Sequence, residues 1–279
     1  MQKKKQEFKH LGSLNKIIEI YGKLKEIDGI NARFVIENIF NKKLEKLITT
    51  KSIDKKALGK AEKVISLLRK GERPEYIFKK AIFLDEEFYI EKKVLIPREE
   101  TSLIVYALKE LKEKKFNPKR ILDFGTGTGI LTIWAKRIFR EAQVVAVDHL
   151  KKAIKTCLIN KNSKKLDIKL IRAKSFRIFK DEKFDLVIVN PPYLSEEEYR
   201  IFGPFKGESK SALVGGKKGY EVFLRWLREA LRVLKRDGIF ISEISEFWET
   251  DILGEYKKYL IEEKKDEFKK KRVWIFKKF

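Results

Sequence analysis

The segment Asn190-Pro191-Pro192-Tyr193 concentrates the chemistry of the chain. Two consecutive prolines fix the backbone and remove two N–H donors. The groups left, the Asn190 amide oxygen and the proline carbonyls, accept hydrogen bonds. Acceptors grouped in this way suit a substrate –NH2. An amide nitrogen is a poor nucleophile because its lone pair is delocalised into the carbonyl. Two acceptors that grip both of its hydrogens aim the nitrogen and favour the loss of that delocalisation. Tyr193 can pack on the flat face of such a group. The segment follows the apolar run Phe184–Val189, and ligands in open α/β sheets sit beyond the carboxyl ends of the strands.

A second group lies upstream in Asp123-Phe124-Gly125-Thr126-Gly127-Thr128-Gly129, between an apolar run and a helical pattern. Glycines there let the chain turn sharply and approach a ligand without a Cβ in the way. The following helix offers free N–H groups to a negatively charged ligand group. The spacing is G-x-G-x-G, and Ile130 occupies the place of the last glycine in a dinucleotide fingerprint. That points away from NAD and towards S-adenosylmethionine. No Gly-Lys-Ser/Thr follows, so a phosphate loop of the NTPase type is excluded. Asp148 closes the next strand, where a carboxylate can accept both hydroxyls of a ribose; an N-cap is its other ordinary use. His149 beside it reads as a loop residue. Neither histidine, His10 or His149, stands among these motifs as a proton acceptor.

Positioning these residues needs a sheet. From Arg120 the pattern alternates strand and helix: strands at 121–124, 144–147, 168–173, 184–189, 239–244 and 273–276, helices at 130–139, up to 160, at 219–234 and in the tail. This predicts an α/β fold, a Rossmann-like, doubly wound and mostly parallel sheet. Residues 1–77 carry apolar residues at helical spacing, such as Leu14, Ile17, Ile18, Tyr21 and Leu24, and form an expected small helical domain closed by Gly71 and Pro74. Residues 78–98 read as a connector, with two short strands around Asp85-Glu86-Glu87. The domain that carries the chemistry runs from 99 to 279.

The 279 residues include 65 Lys+Arg against 41 Asp+Glu, a formal charge of +24. Two origins fit: an anionic partner such as RNA, or the surface ion networks of a heat-adapted chain. Lysines spread along the whole sequence favour the second, with a weak attraction to ribosomal RNA left over. A single cysteine, Cys157, excludes an internal disulfide framework. No apolar run is long enough to span a bilayer, and the basic N-terminus has no apolar stretch behind it. A soluble, cytoplasmic protein is expected.

Taken together, the glycine loop, the strand-end Asp148 and Asn190-Pro191-Pro192-Tyr193 resemble amino-methyltransferases dependent on S-adenosylmethionine. Further segments resemble the HemK/PrmC family, the peptide chain release factor glutamine methyltransferases. These are Val94-Leu95-Ile96-Pro97-Arg98 with Glu100-Thr101, Glu208 four residues before Ala212-Leu213-Val214-Gly215-Gly216, Glu243-Ile244, and Arg73-Pro74 with Tyr76-Ile77. The sequence departs from the family pattern at Glu99, Ser102 and Ser209. It departs again after the 168–173 strand, where Lys174 and Ser175 stand in place of an acid and an apolar residue, with Phe176 next.

The resemblance implies N5-methylation of the glutamine in the Gly-Gly-Gln loop of release factors. Asn190, Pro191 and Tyr193 would be catalytic, and Asn190, Pro191, Pro192 and Tyr193 would hold the substrate. Gly125, Thr126, Gly127, Thr128, Gly129, Asp148, Ser175, Phe176 and Asn190 would hold the cofactor, which leaves as S-adenosylhomocysteine. No metal is expected. The helical domain would recognise the release factor. Two alternatives stay open: a glutamine in a ribosomal protein, and the exocyclic amine of adenine in DNA or RNA, since both present the same –NH2.

Overall fold

The structure, a computed structural model, describes residues 2–50, 52–203 and 206–279, with side chains from residue 12 onward. Met1 and Lys51, both within the expected 1–77 domain, lie outside the described residues. The chain divides into two compact units, Met1–Lys79 and Lys80–Phe279.

The first unit is helical: α1 (Gln2–Ile27), α2 (Ala32–Phe40), α3 (Leu44–Leu47), α4 (Lys55–Arg69) and α5 (Pro74–Phe78). Ile17, Leu24, Val35, Ile36, Leu47, Val64 and Leu68 form its core. Each such side chain taken fully from water contributes about 1.5–3 kcal/mol. Asp54 caps α4 by accepting from the Lys56 N–H at 3.1 Å. Helix α4 ends at Arg69, before Gly71 and Pro74, as expected, but Pro74 does not close the helical segment altogether. It opens α5, because a proline in a first turn gives up an N–H that has no helical partner anyway.

In the second unit, the hairpin of β1 (Lys80–Phe83) and β2 (Glu86–Tyr89) turns at Leu84-Asp85, both at positive φ. The turn is therefore one residue earlier and shorter than expected. The order then runs α6 (Ser102–Glu113), β3 (Arg120–Phe124), α7 (Ile130–Ile138), β4 (Gln143–Asp148), α8 (Lys151–Ser163), β5 (Lys169–Arg172), β6 (Phe184–Val189), β7 (Leu194–Ser195), α9 (Glu196–Phe202), β8 (Val214–Gly216), α10 (Glu221–Val233), β9 (Leu234–Glu243), β10 (Leu260–Lys265) and β11 (Lys271–Lys277). The expected tail helix is a 3-10 segment, Thr250–Tyr259, broken at Gly254.

One sheet in the order β10-β11-β9-β6-β3-β4-β5 organises the unit. The five strands from β9 to β5 are parallel, and β10 and β11 join antiparallel. Apolar cores cover both faces. Ile121, Leu186, Ile188, Ile241 and Ile275 point to one, and Leu122, Val187, Val189, Phe240 and Phe276 to the other. Two covered faces are why these strands read as unbroken apolar runs rather than alternating ones.

The chain winds from β3 outward to β5 and then returns to β6 on the other side of β3. The carboxyl ends of β3 and β6 therefore flank a topological switch point, the crevice where such sheets bind ligands. Strand register aligns the motifs there. Leu122 pairs with Val187 and Phe124 with Val147, so Gly125 leaves the sheet level with Asn190 on one side and Asp148 on the other. Among the described residues no helix is long and apolar enough to cross a membrane.

Candidate active site

A cavity of about 770 Å3, counting space open to solvent, lies at that switch point. Its walls include Gly125, Thr126, Gly127, Thr128, Asp148, Asn190 and Pro192 of the expected site.

The glycine loop is stitched into place by its own backbone. The Gly125 and Thr126 N–H groups both donate to the Val147 carbonyl, at 2.8 and 3.0 Å. Gly125, Gly127 and Gly129 adopt φ of 84°, 54° and 85°, a region that side-chain-bearing residues avoid. Below the loop the buried Asp123 accepts from the hydroxyls of Thr126 and Thr132. Burial pushes its carboxyl up to about 6, with the two threonine hydrogen bonds opposing. Gly129 serves packing rather than the cavity. A Cβ there would stand 2.5 Å from Cys157 Sγ, so only glycine lets α8 lie this close.

Asp148 is held from two sides. Its Oδ2 accepts from the Gly127 N–H at 3.0 Å and its Oδ1 from the Leu150 N–H at 2.8 Å. Only 7% of the residue is exposed, yet it borders the cavity, so its oxygens remain available in one direction. Burial raises its pKa, and the backbone N–H groups oppose that. His149 also lines the cavity, its ring at 3.3 Å from Ser211 Oγ. The sequence does not mark it as a wall residue.

Asn190 carries the most informative geometry. Its Nδ2 donates to Thr101 Oγ1 at 3.1 Å, and Thr101 Oγ1 donates to Glu243 Oε2 at 2.7 Å. Its Oδ1 is buried and has no hydrogen-bond partner. A buried amide oxygen without a partner is costly, and its presence beside a cavity marks a waiting acceptor. Glu243 is 1% exposed, and burial pushes its carboxyl up to about 7. Thr101 and Glu243 stand in the Glu100-Thr101 and Glu243-Ile244 segments that the resemblance already singled out, but nothing in the sequence says that they meet.

The rest of the Asn190 segment is held from behind. A Cβ on Gly215 would stand 2.4 Å from the Pro192 carbonyl, and one on Gly219 would stand 2.5 Å from the Tyr193 carbonyl. The glycines of that segment therefore exist for close backbone contact. Pro191 is buried between the wall residues Asn190 and Pro192, and Tyr193 packs half-buried against the aromatic core under α10. Burial raises the Tyr193 hydroxyl pKa. The ring is thus drawn into the core and not laid along the wall, as a stacking role would have it.

Ser175 and Phe176 are not brought to the cavity. Phe176 is 1% exposed, with its ring stacked on Phe124 at 3.8 Å. Ser175 caps the short turn after it by accepting from the Arg177 N–H. The wall near β4 is supplied instead by Leu150 and Ala153, and the opposite wall by Val94, Leu95, Pro97 and Trp226. Among the described residues no three His, Cys, Asp or Glu side chains group as a metal site.

The chain resembles known proteins in sequence and in fold. The family model for the methyltransferase small domain matches residues 100–219. A release factor glutamine methyltransferase of Borreliella burgdorferi is 32% identical over 255 residues, 88% of this chain and 85% of that one. One from Clostridium acetobutylicum is 30% identical over 240 residues, 82% of this chain and 84% of that one. The solved T. thermophilus 16S rRNA N2 G1207 methyltransferase superposes with a TM-score of 0.50 at 18% identity, over 72% of this chain and 50% of that one, which shows the shared fold. With a relative at this identity matched over most of both chains, a methyltransferase domain and the Rossmann-like sheet described above, the chain belongs to the release factor glutamine methyltransferase family.

Proposed function

We propose that this protein methylates the side-chain amide nitrogen of the glutamine in the Gly-Gly-Gln motif of peptide chain release factors. S-adenosylmethionine supplies an electrophilic methyl group on a sulfonium and leaves as S-adenosylhomocysteine. Gly125, Thr126, Gly127 and Thr128 would cradle its methionine part, and Asp148 its ribose hydroxyls. Gly129 contributes by letting the loop close on α8. Ser175 and Phe176 would act behind the site, as support for Phe124.

The observation that carries this is the buried, partnerless Oδ1 of Asn190, a residue that lines the cavity. An acceptor held there fits an N–H donor, and the Pro191 carbonyl would take the second hydrogen of the glutamine amide. Pro192 stiffens the turn. Tyr193, drawn into the core, would brace the turn that carries these acceptors. Positioning and exclusion of water would supply most of the rate. No metal enters this scheme. The helical unit would recognise the release factor, and the reaction would take place in the cytoplasm. The positive charge would add a weak attraction to ribosomal RNA.

Transfer of labelled methyl to purified release factor tests the proposal. Label should appear with the native Gly-Gly-Gln loop and vanish when its glutamine is replaced by alanine. Label on a ribosomal protein or on adenine, and none on the release factor, would overturn it.

A further inference from the structure

We propose that Thr101 and Glu243 are positioning residues that hold the Asn190 amide with its oxygen towards the cavity, so that the site accepts a nitrogen only if it brings hydrogens. The inference rests on the function proposed above and concerns how that site chooses its substrate.

An asparagine side chain is nearly symmetric in shape, and the hydrogen-bond network alone decides which end faces which way. Here, with Glu243 ionised, the network leaves one answer. An ionised carboxylate only accepts. Glu243 Oε2 lies 2.7 Å from Thr101 Oγ1, so the single hydroxyl proton of Thr101 is committed to Glu243. What Thr101 turns to Asn190 is then a lone pair. The group 3.1 Å away must be the Asn190 NH2, and the amide oxygen must face the other way. Flipping the amide would set two oxygens against each other with no hydrogen between them. Thr101 is 2% exposed and Glu243 1%, so water is not at hand to repair the flipped state. The three residues come from separate places: the turn before α6, the end of β6 and the end of β9.

The polarity of the relay sets specificity. With its oxygen outward, Asn190 grips –NH2 of an amide and disfavours a carboxylate, which would meet it oxygen to oxygen. A glutamine is thereby separated from a glutamate of the same shape. The polarity also depends on the charge of Glu243. Around it stand Glu100, Arg272 and Arg98, with the Tyr193 hydroxyl nearby. Glu100 and burial favour the protonated form, and the two arginines favour the ionised one. A protonated Glu243 can donate to Thr101. That frees the threonine proton for Asn190 and removes the preference for an outward oxygen.

The test compares Thr101→Val, Thr101→Ser and the parent, each in full-length protein. Valine keeps the shape and removes both hydrogen bonds; serine keeps the bonds. We expect kcat for release factor methylation to fall 10- to 100-fold in Thr101→Val, with cofactor affinity by calorimetry within twofold of the parent, and Thr101→Ser to retain most of the rate. A valine variant with kcat within twofold of the parent would overturn the relay while leaving the proposed function standing, because the parent still methylates its glutamine. A turnover-free measurement covers a protein that proves to have another substrate, or a valine variant that fails to fold. The Asn190 side-chain NH2 signals in an amide NMR spectrum, assigned by their loss in Asn190→Asp, should show one proton protected from exchange in the parent and in Thr101→Ser. They should shift as the pH falls through the titration of Glu243. Signals without protection and without pH dependence would sink the relay.

Discussion

Arg98 holds both carboxylate oxygens of Glu208, at 2.9 and 2.8 Å, across 110 residues of chain. The Glu208 oxygen on the longer arm of the fork, Oε1, also accepts from the Ile96 N–H at 3.1 Å, and the Lys93 N–H donates to the Gly207 carbonyl. The strap 93–98 and the loop from 207 to 212 are thus fastened together, and residues of both line the cavity. Glu208 is the more enclosed partner, its side chain 2% exposed against 25% for Arg98.

Removing Glu208 should loosen this fastening without touching the glycine loop. Deleting one partner of a buried pair costs about 3–5 kcal/mol. The exposed part of Arg98 can find water, so Glu208→Ala should cost on the order of 2 kcal/mol here. We expect a lower thermal midpoint, faster proteolysis within residues 206–212, and a KM for release factor raised more than the cofactor Kd. Proteolysis and kinetics matching the parent would show that the fork does not hold the loop.

Gly215 is a second fastening, made of backbone alone. A Cβ at this position would lie 1.8 Å from the Gly219 carbonyl oxygen and 2.4 Å from that of Pro192. Neither oxygen is the end of a flexible side chain, so Gly215→Ala must displace the segment that carries Asn190. Misplacement by about 1 Å can cost about 100-fold in rate, and kcat should drop by at least tenfold with cofactor affinity little changed. Gly59 in α4 is the control: nothing lies within 4 Å of its Cβ direction, and Gly59→Ala should stabilise the protein by up to about 1 kcal/mol. A fully active Gly215→Ala would mean that this contact does not position Asn190.

The parts of this architecture that the sequence reveals are those governed by local pattern. Strands β3, β6 and β9 are visible because both of their faces are covered, and each carries a short apolar run: Ile121-Leu122, Leu186-Val187-Ile188-Val189 and Ile239-Phe240-Ile241. Gly125, Asp148 and Asn190 are visible because each follows such a strand. β10 is not, because Leu-Ile-Glu-Glu-Lys-Lys at a sheet edge carries the charges that edges need and lacks an apolar run. Pairings over long separations are also hidden. Thr101 and Glu243 are 142 residues apart, and each alone is an ordinary polar residue beside an element end. Phe176 misleads for a related reason. An aromatic residue after a strand suits an adenine, but here it fills the core between Phe124 and Trp226.

Two buried acids should tilt stability against pH. Asp123 moves from an ordinary 3.8 up to about 6, and Glu243 from 4.5 up to about 7, both through burial. Between roughly pH 4 and 7 the folded chain therefore binds more protons than the unfolded one, and stability falls as pH rises through that window. Their contribution is complete below about pH 4 and lost above about pH 7. Glu86 works in the opposite sense, lowered to about 2 by Arg137 and Lys164, and matters only at more acid pH. Asp123→Asn keeps the acceptor for Thr126 and Thr132 and removes the titration. Thermal midpoints from pH 5 to 8 should decline less steeply for this variant than for the parent. Parallel curves would show that Asp123 ionises normally.

Asp148 and Gly129 should separate binding from folding. Asp148 ties the glycine loop to β4 through the Gly127 N–H while keeping an oxygen face on the cavity. Asp148→Ala removes the proposed ribose acceptor and one loop contact together. Hydrogen bonds to a charged group are worth about 1.5–3 kcal/mol, so cofactor affinity should weaken by roughly 10- to 100-fold. The thermal midpoint should move little, because the lost loop contact is offset by relief of a buried charge. Gly129→Ala should do the reverse. Its φ of 85° is unfavourable for alanine, and its Cβ would meet Cys157 Sγ at 2.5 Å, so the fold loses stability at a point outside the cavity wall. Adding Cys157→Ala should return the steric part of that loss and leave the backbone part. Calorimetry for the cofactor and thermal melts on the same three variants check both halves. A Gly129→Ala protein with a normal melt but no cofactor binding would reassign Gly129 from packing to the site.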